Sequence, residues 1–356
     1  YGFDEMVGKP YRLHDLSLKI GVRKMGRRTS DTFTAGDPVQ DPRDYAEIRL
    51  EYAVDSKEYL QLLGGIAEKR LAEAGYEPAN IDVFLPGKTH TEEVSAAELE
   101  AELDVMWEQG KRRSQEANAS FRNHASVAAT YRILAQKNWR KAFTGFEQYA
   151  LLSSGVVSNF IELCKYAFFF ALNDQLPLKH RPAIPSYLQT NAAFAVSERL
   201  FNTIDGNVPD VGGILKQMVS DLGTILRSRL LRHPSEPEAN RIEVSDFDKL
   251  NGVDCEEVAR VIDSAVIWSV LHLEGVDKAF LPRNTSRPHQ AQLVINRIYA
   301  PLLGFSPRAR WRVRISATDL SDLISPRDRV VAFRRLMKAI GNDDSDPSQP
   351  QLPLNS

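Results

Sequence analysis

Residues 143–164 read Phe143-Thr-Gly-Phe-Glu-Gln-Tyr-Ala-Leu-Leu-Ser-Ser-Gly155-Val-Val-Ser-Asn-Phe-Ile-Glu-Leu-Cys164, and the fold turns on how this stretch is parsed. A turn near Phe143-Thr144-Gly145 opens it, and a short helix runs from Phe146 to about Leu152. Ser153-Ser154-Gly155 then interrupts the helix, because serine competes for backbone hydrogen bonds and glycine punctuates regular structure. A long apolar helix resumes through Phe160, Ile161, Leu163, Cys164, Ala167 and Phe168, with residues at helical spacing. Upstream, Ser126 onwards reads as a preceding helix. Downstream, Pro177, Pro182 and Pro185 mark a connector, Ser186 caps a helix through Leu200 and Ile204, and residues 210–232 make one more. The spacing therefore predicts a helical bundle over 150–232. His233-Pro-Ser-Glu-Pro237 reads as an extended linker separating that bundle from a last domain beginning near Ile242.

In that last domain Asp254 to Leu271 reads as a helix, with Val258, Val261, Ile262, Ala265, Val266 and Trp268 on its apolar side. Residues 275–290 have turn chemistry, and Leu293 to Tyr299 is mixed. Trp311 to Ile315 alternates as a strand, and Ser316 or Thr318 caps the helix after it. The polar tail beyond Gly341 carries no core-forming residues and is expected to be disordered. Toward the N-terminus, Leu16–Arg23 and Ala46–Leu50 alternate as strands around a turn-rich stretch, Thr29–Asp44. Ser56 to Ala74 is helical, with Ser56 as N-cap and Gly75 as stop. Residues 79–120 read as a helical insertion with Ser95 and Glu98 at capping-box spacing, followed by Lys111-Arg112-Arg113.

Composition narrows the function classes. The chain has 356 residues, a formal net charge of −2 and 26% charged residues, so any nucleic-acid contact must come from a local patch. Its two cysteines, Cys164 and Cys255, read as reduced core thiols of a cytoplasmic protein. The apolar run Tyr166–Leu172 is far too short to cross a bilayer, so no membrane partner is expected. The chain begins at Tyr1 rather than methionine, which leads us to expect a further N-terminal part.

No Gly-x-x-x-x-Gly-Lys-Ser/Thr loop is present in the sequence, and the fragments Val7-Gly8-Lys9-Pro10 and Pro86-Gly87-Lys88-Thr89 read as loops. The histidines have no metal-ligand spacing, and no Gly-x-Ser-x-Gly elbow occurs. One pair stands apart: Asp4-Glu5, after Tyr1-Gly2-Phe3, has the acidic character with which phosphate-loop ATPases hold magnesium and activate water. The basic segments are Arg308, Arg310, Arg312 and Arg314, alternating around Trp311, and the cluster Lys19, Arg23, Lys24, Arg27 and Arg28. A strand would present the four alternating arginines on one face, where they suit phosphates or serve as a charged edge that discourages aggregation.

Taken together, Leu18–Arg23, Gly36-Asp37, Arg43-Asp44-Tyr45, the 143–164 stretch and Asn296–Ser316 resemble AAA+ ATPases of the Orc/Cdc6-like kind found in bacteria. The resemblance implies a mainly α chain with some β: a remnant of an α/β AAA+ core over 1–125 with the helical insertion, a helical lid over 126–234, a winged-helix-like domain over 242–340 and a tail over 341–356. It implies ATP and Mg²⁺, with the phosphate loop in the missing N-terminal part, Asp4 at the magnesium position, Glu5 activating water and Arg23 at the polar end of a sensor strand. It also implies a nucleotide-driven subunit that binds double-stranded DNA, a protein partner or its own copies, with Arg308, Arg310, Arg312 and Arg314 on DNA and a role in phage defence. One departure stands out. Such lids carry an arginine three residues after the glycine of the Ser-Gly pair, and here that residue is Ser158. The missing cation favours a rival reading, a catalytically inactive helical scaffold or adaptor in a larger complex. A third reading is a sequence-reading DNA-binding protein without nucleotide chemistry.

Overall fold

The computed structural model describes residues 56–87, 93–110, 118–180, 182–233, 238–251, 256–274, 291–308 and 311–342. Asp4, Glu5, Arg23, Arg310, Cys255, the strands expected at 16–23 and 46–50, and residues 343–356 of the expected tail lie outside the described residues, while Gly341 and Asn342 close the last helix. What is described is mainly helical with one small mixed sheet.

Helix α1 (Lys57–Glu73) starts where the Ser56 side chain accepts the Tyr59 N–H at 3.1 Å and buries Tyr59, Leu63, Ala67 and Leu71, one residue per turn. After it, Gly75 takes a left-handed φ of 73°. A one-turn helix α2 (Ile81–Phe84) follows, then α3 (Ala96–Gly110) and α4 (Asn118–Gln136). The capping box forms as expected: Ser95 Oγ accepts the Glu98 N–H at 3.3 Å, and Glu98 accepts the Ser95 N–H at 3.2 Å. Helix α4 begins eight residues before the expected Ser126, because Phe121, Ala125, Ala128 and Ala129 continue one apolar face that packs on α3. These two helices share a core of their own, built on Leu99, Leu103, Met106 and Phe121, which meets the rest of the molecule through Leu230.

The next helices follow the reading of 143–164 closely. They are α5 (Phe146–Leu152) and α6 (Val157–Asn173), broken by left-handed Ser154 (φ 55°) and Gly155 (φ 79°). Helix α7 (Ser186–Asn202) packs along α6, but Ser186 is its first residue and makes no cap bond; Pro185 holds the N-cap position. A single turn, α8 (Ile204–Asn207), leads into α9 (Gly212–Arg232).

The sheet has the order β2-β3-β1-β4, from β1 (Ala239–Val244), β2 (Leu271–Glu274), β3 (Ala291–Ile295) and β4 (Trp311–Ile315). β1 runs antiparallel to β3 and parallel to β4, and β2 runs antiparallel to β3. Helix α10 (Glu256–Ile267), one-turn α11 (Ala300–Leu303), α12 (Ala317–Ile324) and α13 (Arg329–Asn342) surround it. Leu271 is a correction: expected to close a helix, it opens β2, because Ser269 turns left-handed (φ 55°) and Val270 reverses the chain onto α10. Ser316 caps α12 in a full capping box with Asp319.

The expected separation at 233–237 is corrected as well. Among the described residues of 150–232 no strand occurs, but the bundle and the sheet share one continuous core. It runs from Tyr59 through Leu163, Leu222 and Ile242 to Leu293, Val313 and Leu336. His233 is itself buried. The Asp221 carboxylate on α9 accepts two bonds from Arg329 on α13, at 2.6 and 2.9 Å, tying the two halves together. One segment with two prolines, 233–237, reads as a spacer by composition, but apolar surface on both sides of it is buried more favourably by docking than by exposure.

Candidate functional site

The register of the sheet decides what the arginines of β4 can do. Ile242 pairs with Val313 and Val244 with Ile315 on the core side, so Arg241, Glu243, Arg312 and Arg314 share the opposite face. There Arg312 Nε and Arg314 Nε reach the two oxygens of Glu243 at 3.0 and 2.8 Å, and Arg241 bonds Glu274 on β2 at 2.9 Å. The structure thus brings Arg312 and Arg314 together over one buried carboxylate. Arg308 is not with them. It precedes the strand, its N–H donates to Ser306 Oγ at 3.3 Å, and its side chain lies beside Tyr131 and Lys141.

The Ser-Ser-Gly turn between α5 and α6 is a junction. Ser153 Oγ lies 2.6 Å from the Tyr59 hydroxyl on α1, and Ser154 Oγ accepts the Arg297 N–H at 2.7 Å. Arg297 Nε in turn donates to the Pro307 carbonyl at 2.8 Å. The turn is therefore bonded to α1 on one side and to the segment after β3 on the other. Ser158 stands exposed in the first turn of α6, and that turn carries no cation.

A cleft of about 190 Å³ opens between α4, α7, α9 and α11, lined by Trp139, Arg140, Phe194, Arg227 and the Pro301–Gly304 turn among others. Beside it α11 presses onto α9: a Cβ on Gly223 would fall 2.7 Å from Leu303 Cδ1. Burial pushes the Tyr131 phenol well above its ordinary value and draws the Lys141 ammonium down, while Glu93, which pairs with Lys141, opposes the second effect. Sequence reasoning missed this cleft, because its cations and rings come from segments almost a hundred residues apart and no spacing announces them.

Comparison with known families settles the kinship. The ORC-CDC6-like family model matches residues 10–127 and 107–315. The chain belongs to the ORC-CDC6-like family. Neither a curated protein nor a solved structure matches it. Membership relates the chain to AAA+ ATPases, a group that generally binds nucleotide with Mg²⁺. Arg23 falls inside the matched stretch, whereas Asp4 and Glu5 fall just ahead of it. Among the described residues no group of three or more His, Cys, Asp or Glu could hold a metal ion, and no helix is long and apolar enough to cross a membrane. Cys164 is free, its thiol pushed up to about 12 by burial.

Proposed function

We propose that this ORC-CDC6-like chain is the lid and C-terminal module of an AAA+-type ATPase subunit, in which nucleotide-dependent movement of the lid is passed to the C-terminal module. One observation carries this reading: the Ser154–Arg297 bond fastens the α5–α6 turn to the segment that follows β3, within the core the bundle shares with the sheet. A lid so fastened moves the sheet with it, because a packed core transmits displacement rather than absorbing it. The C-terminal order also supports a winged-helix-like module: α9, β1, a short 3₁₀ turn at Phe247–Asn251, α10, then the β2–β3 pair, with β3 between β2 and β1. In this reading ATP and Mg²⁺ belong to residues upstream of the described ones, with Asp4 on the metal, Glu5 on the water and Arg23 on the nucleotide.

A second reading has its own support. The exposed start of α10 carries Glu256 and Glu257, and the β4 arginines are half-neutralised by Glu243. That charge pattern favours a protein partner over duplex DNA as what the module binds, and with Ser158 in place of an arginine it favours an adaptor without turnover. One experiment separates the two. On the native gene product, Glu5→Gln should leave ATP binding unchanged in calorimetry and abolish phosphate release. Unchanged hydrolysis removes Glu5 from the reaction, and failure of the native protein to bind ATP leaves the adaptor. Residues 1–356 alone, which lack a phosphate loop, are expected to show no binding at micromolar nucleotide.

A further inference from the structure

The cleft between α4 and α9 combines flat rings with two arginines that have no carboxylate partner among the described residues. Trp139 is 59% exposed at its rim, with the Lys137 ammonium 4.7 Å from its ring centroid. The Arg140 guanidinium lies over the Phe194 ring, 4.8 Å from its centroid. Arg227 reaches in from α9 and runs along Gly304, where a Cβ would sit 3.1 Å from Arg227 Cδ; the missing side chain of Gly304, which also takes a left-handed φ of 74°, keeps that space clear. Lys137 and Lys141 are paired with Glu98 and Glu93, but Arg140 and Arg227 have no carboxylate partner among the described residues. A smaller cleft that shares Tyr131, Lys141 and Phe143 continues the groove to Arg308.

We propose that this groove binds single-stranded nucleic acid, with Trp139 stacking a base and Arg140 and Arg227 taking the adjacent phosphates. Stacking surfaces interleaved with cations are what single strands require, since every base has a π-face and every link a charge. The concavity admits a splayed base but not the convex backbone of a duplex. An acidic peptide would use the cations and leave the exposed indole without purpose. This inference stands apart from the ATPase reading, as none of its residues lies on β4 or at the α5–α6 turn.

Anisotropy with a fluorescein-labelled oligo-dT of about twelve nucleotides tests it, against the matching duplex and with polyglutamate as competitor. The single strand should bind more tightly than the duplex, and unlabelled oligo-dT should displace it far better than polyglutamate. Trp139→Ala should weaken binding about tenfold, and Trp139→Phe should recover most of that loss. Arg140→Gln with Arg227→Gln should flatten the log–log salt slope by about 1.4, roughly 0.7 for each charge. All three side chains are on the surface, and melting curves that match the parent confirm that the variants fold. The proposal is overturned by duplex binding as tight as single-strand binding, by equal displacement by polyglutamate, by no binding at all, or by unchanged affinity and slope in the folded variants.

Discussion

At the residue scale, Gly145 shows how one position constrains the chain. Its φ of 95° and ψ of 153° lie in a region essentially reserved for glycine, and a Cβ there would fall 2.8 Å from Gly87 Cα. The N–H of Gly145 also donates to the buried Gln189 side chain at 2.8 Å, and Gln189 Nε2 donates to Pro86 and Ile184. Gly145 is thus where the loop before α5 is clamped between two other segments. Gly145→Ala should cost about 1–3 kcal/mol from the backbone conformation, before any displacement of Gly87 is added. Gly65→Ala is the matched control: that glycine is exposed in α1 with nothing within 4 Å of a new Cβ, so the change should stabilise by about 0.5–1 kcal/mol. Urea midpoints of the two variants check both signs together.

At the element scale, the start of α3 is held by charge as well as by its cap. The hydrogen bond from Lys137 just after α4, then those from the Ser95 hydroxyl and N–H, hold the Glu98 carboxyl at about 2, below its ordinary 4.5. The sign follows from that depression. The contribution of Glu98 is full above the unfolded value and is lost as pH falls through the folded one. The difference in melting temperature between the parent and Glu98→Gln should therefore be present at pH 7 and vanish between pH 4.5 and about 2. A difference that persists below pH 2 would mean that Glu98 acts by packing alone. Asp319 at the start of α12 shifts in the same direction: burial would raise it, but bonds from Ser316 and Arg335 prevail.

At the scale of the whole molecule, the helices and the sheet should unfold together. One core crosses from α1 to α13, and the buried Asp221 carboxylate has its charged partner on the far side of the former boundary. Scanning calorimetry of the 356-residue chain should give a single transition for these elements, with calorimetric and van't Hoff enthalpies equal. Two resolved transitions would restore the separation at 233–237 that composition suggested.

Local chemistry determined much of this protein by itself. The cap at Ser56, the capping boxes at Ser95 and Ser316, the break at Ser154-Gly155 and the alternation of Trp311–Ile315 are short-range features, each set by residues within a few positions of one another. The family was legible for the same reason, in runs of adjacent residues around 143–164 and 296–316. Pairing across distance was not. Nothing near Leu271 shows that β3 will turn it into a strand, and nothing in the alternation of the arginines shows that Glu243 lies between Arg312 and Arg314. Nor does any spacing bring Trp139 and Arg140 to Arg227. Only the tertiary structure decides such contacts, because they come from burying apolar faces whose partners lie far along the chain, and that burial is non-directional until the elements meet.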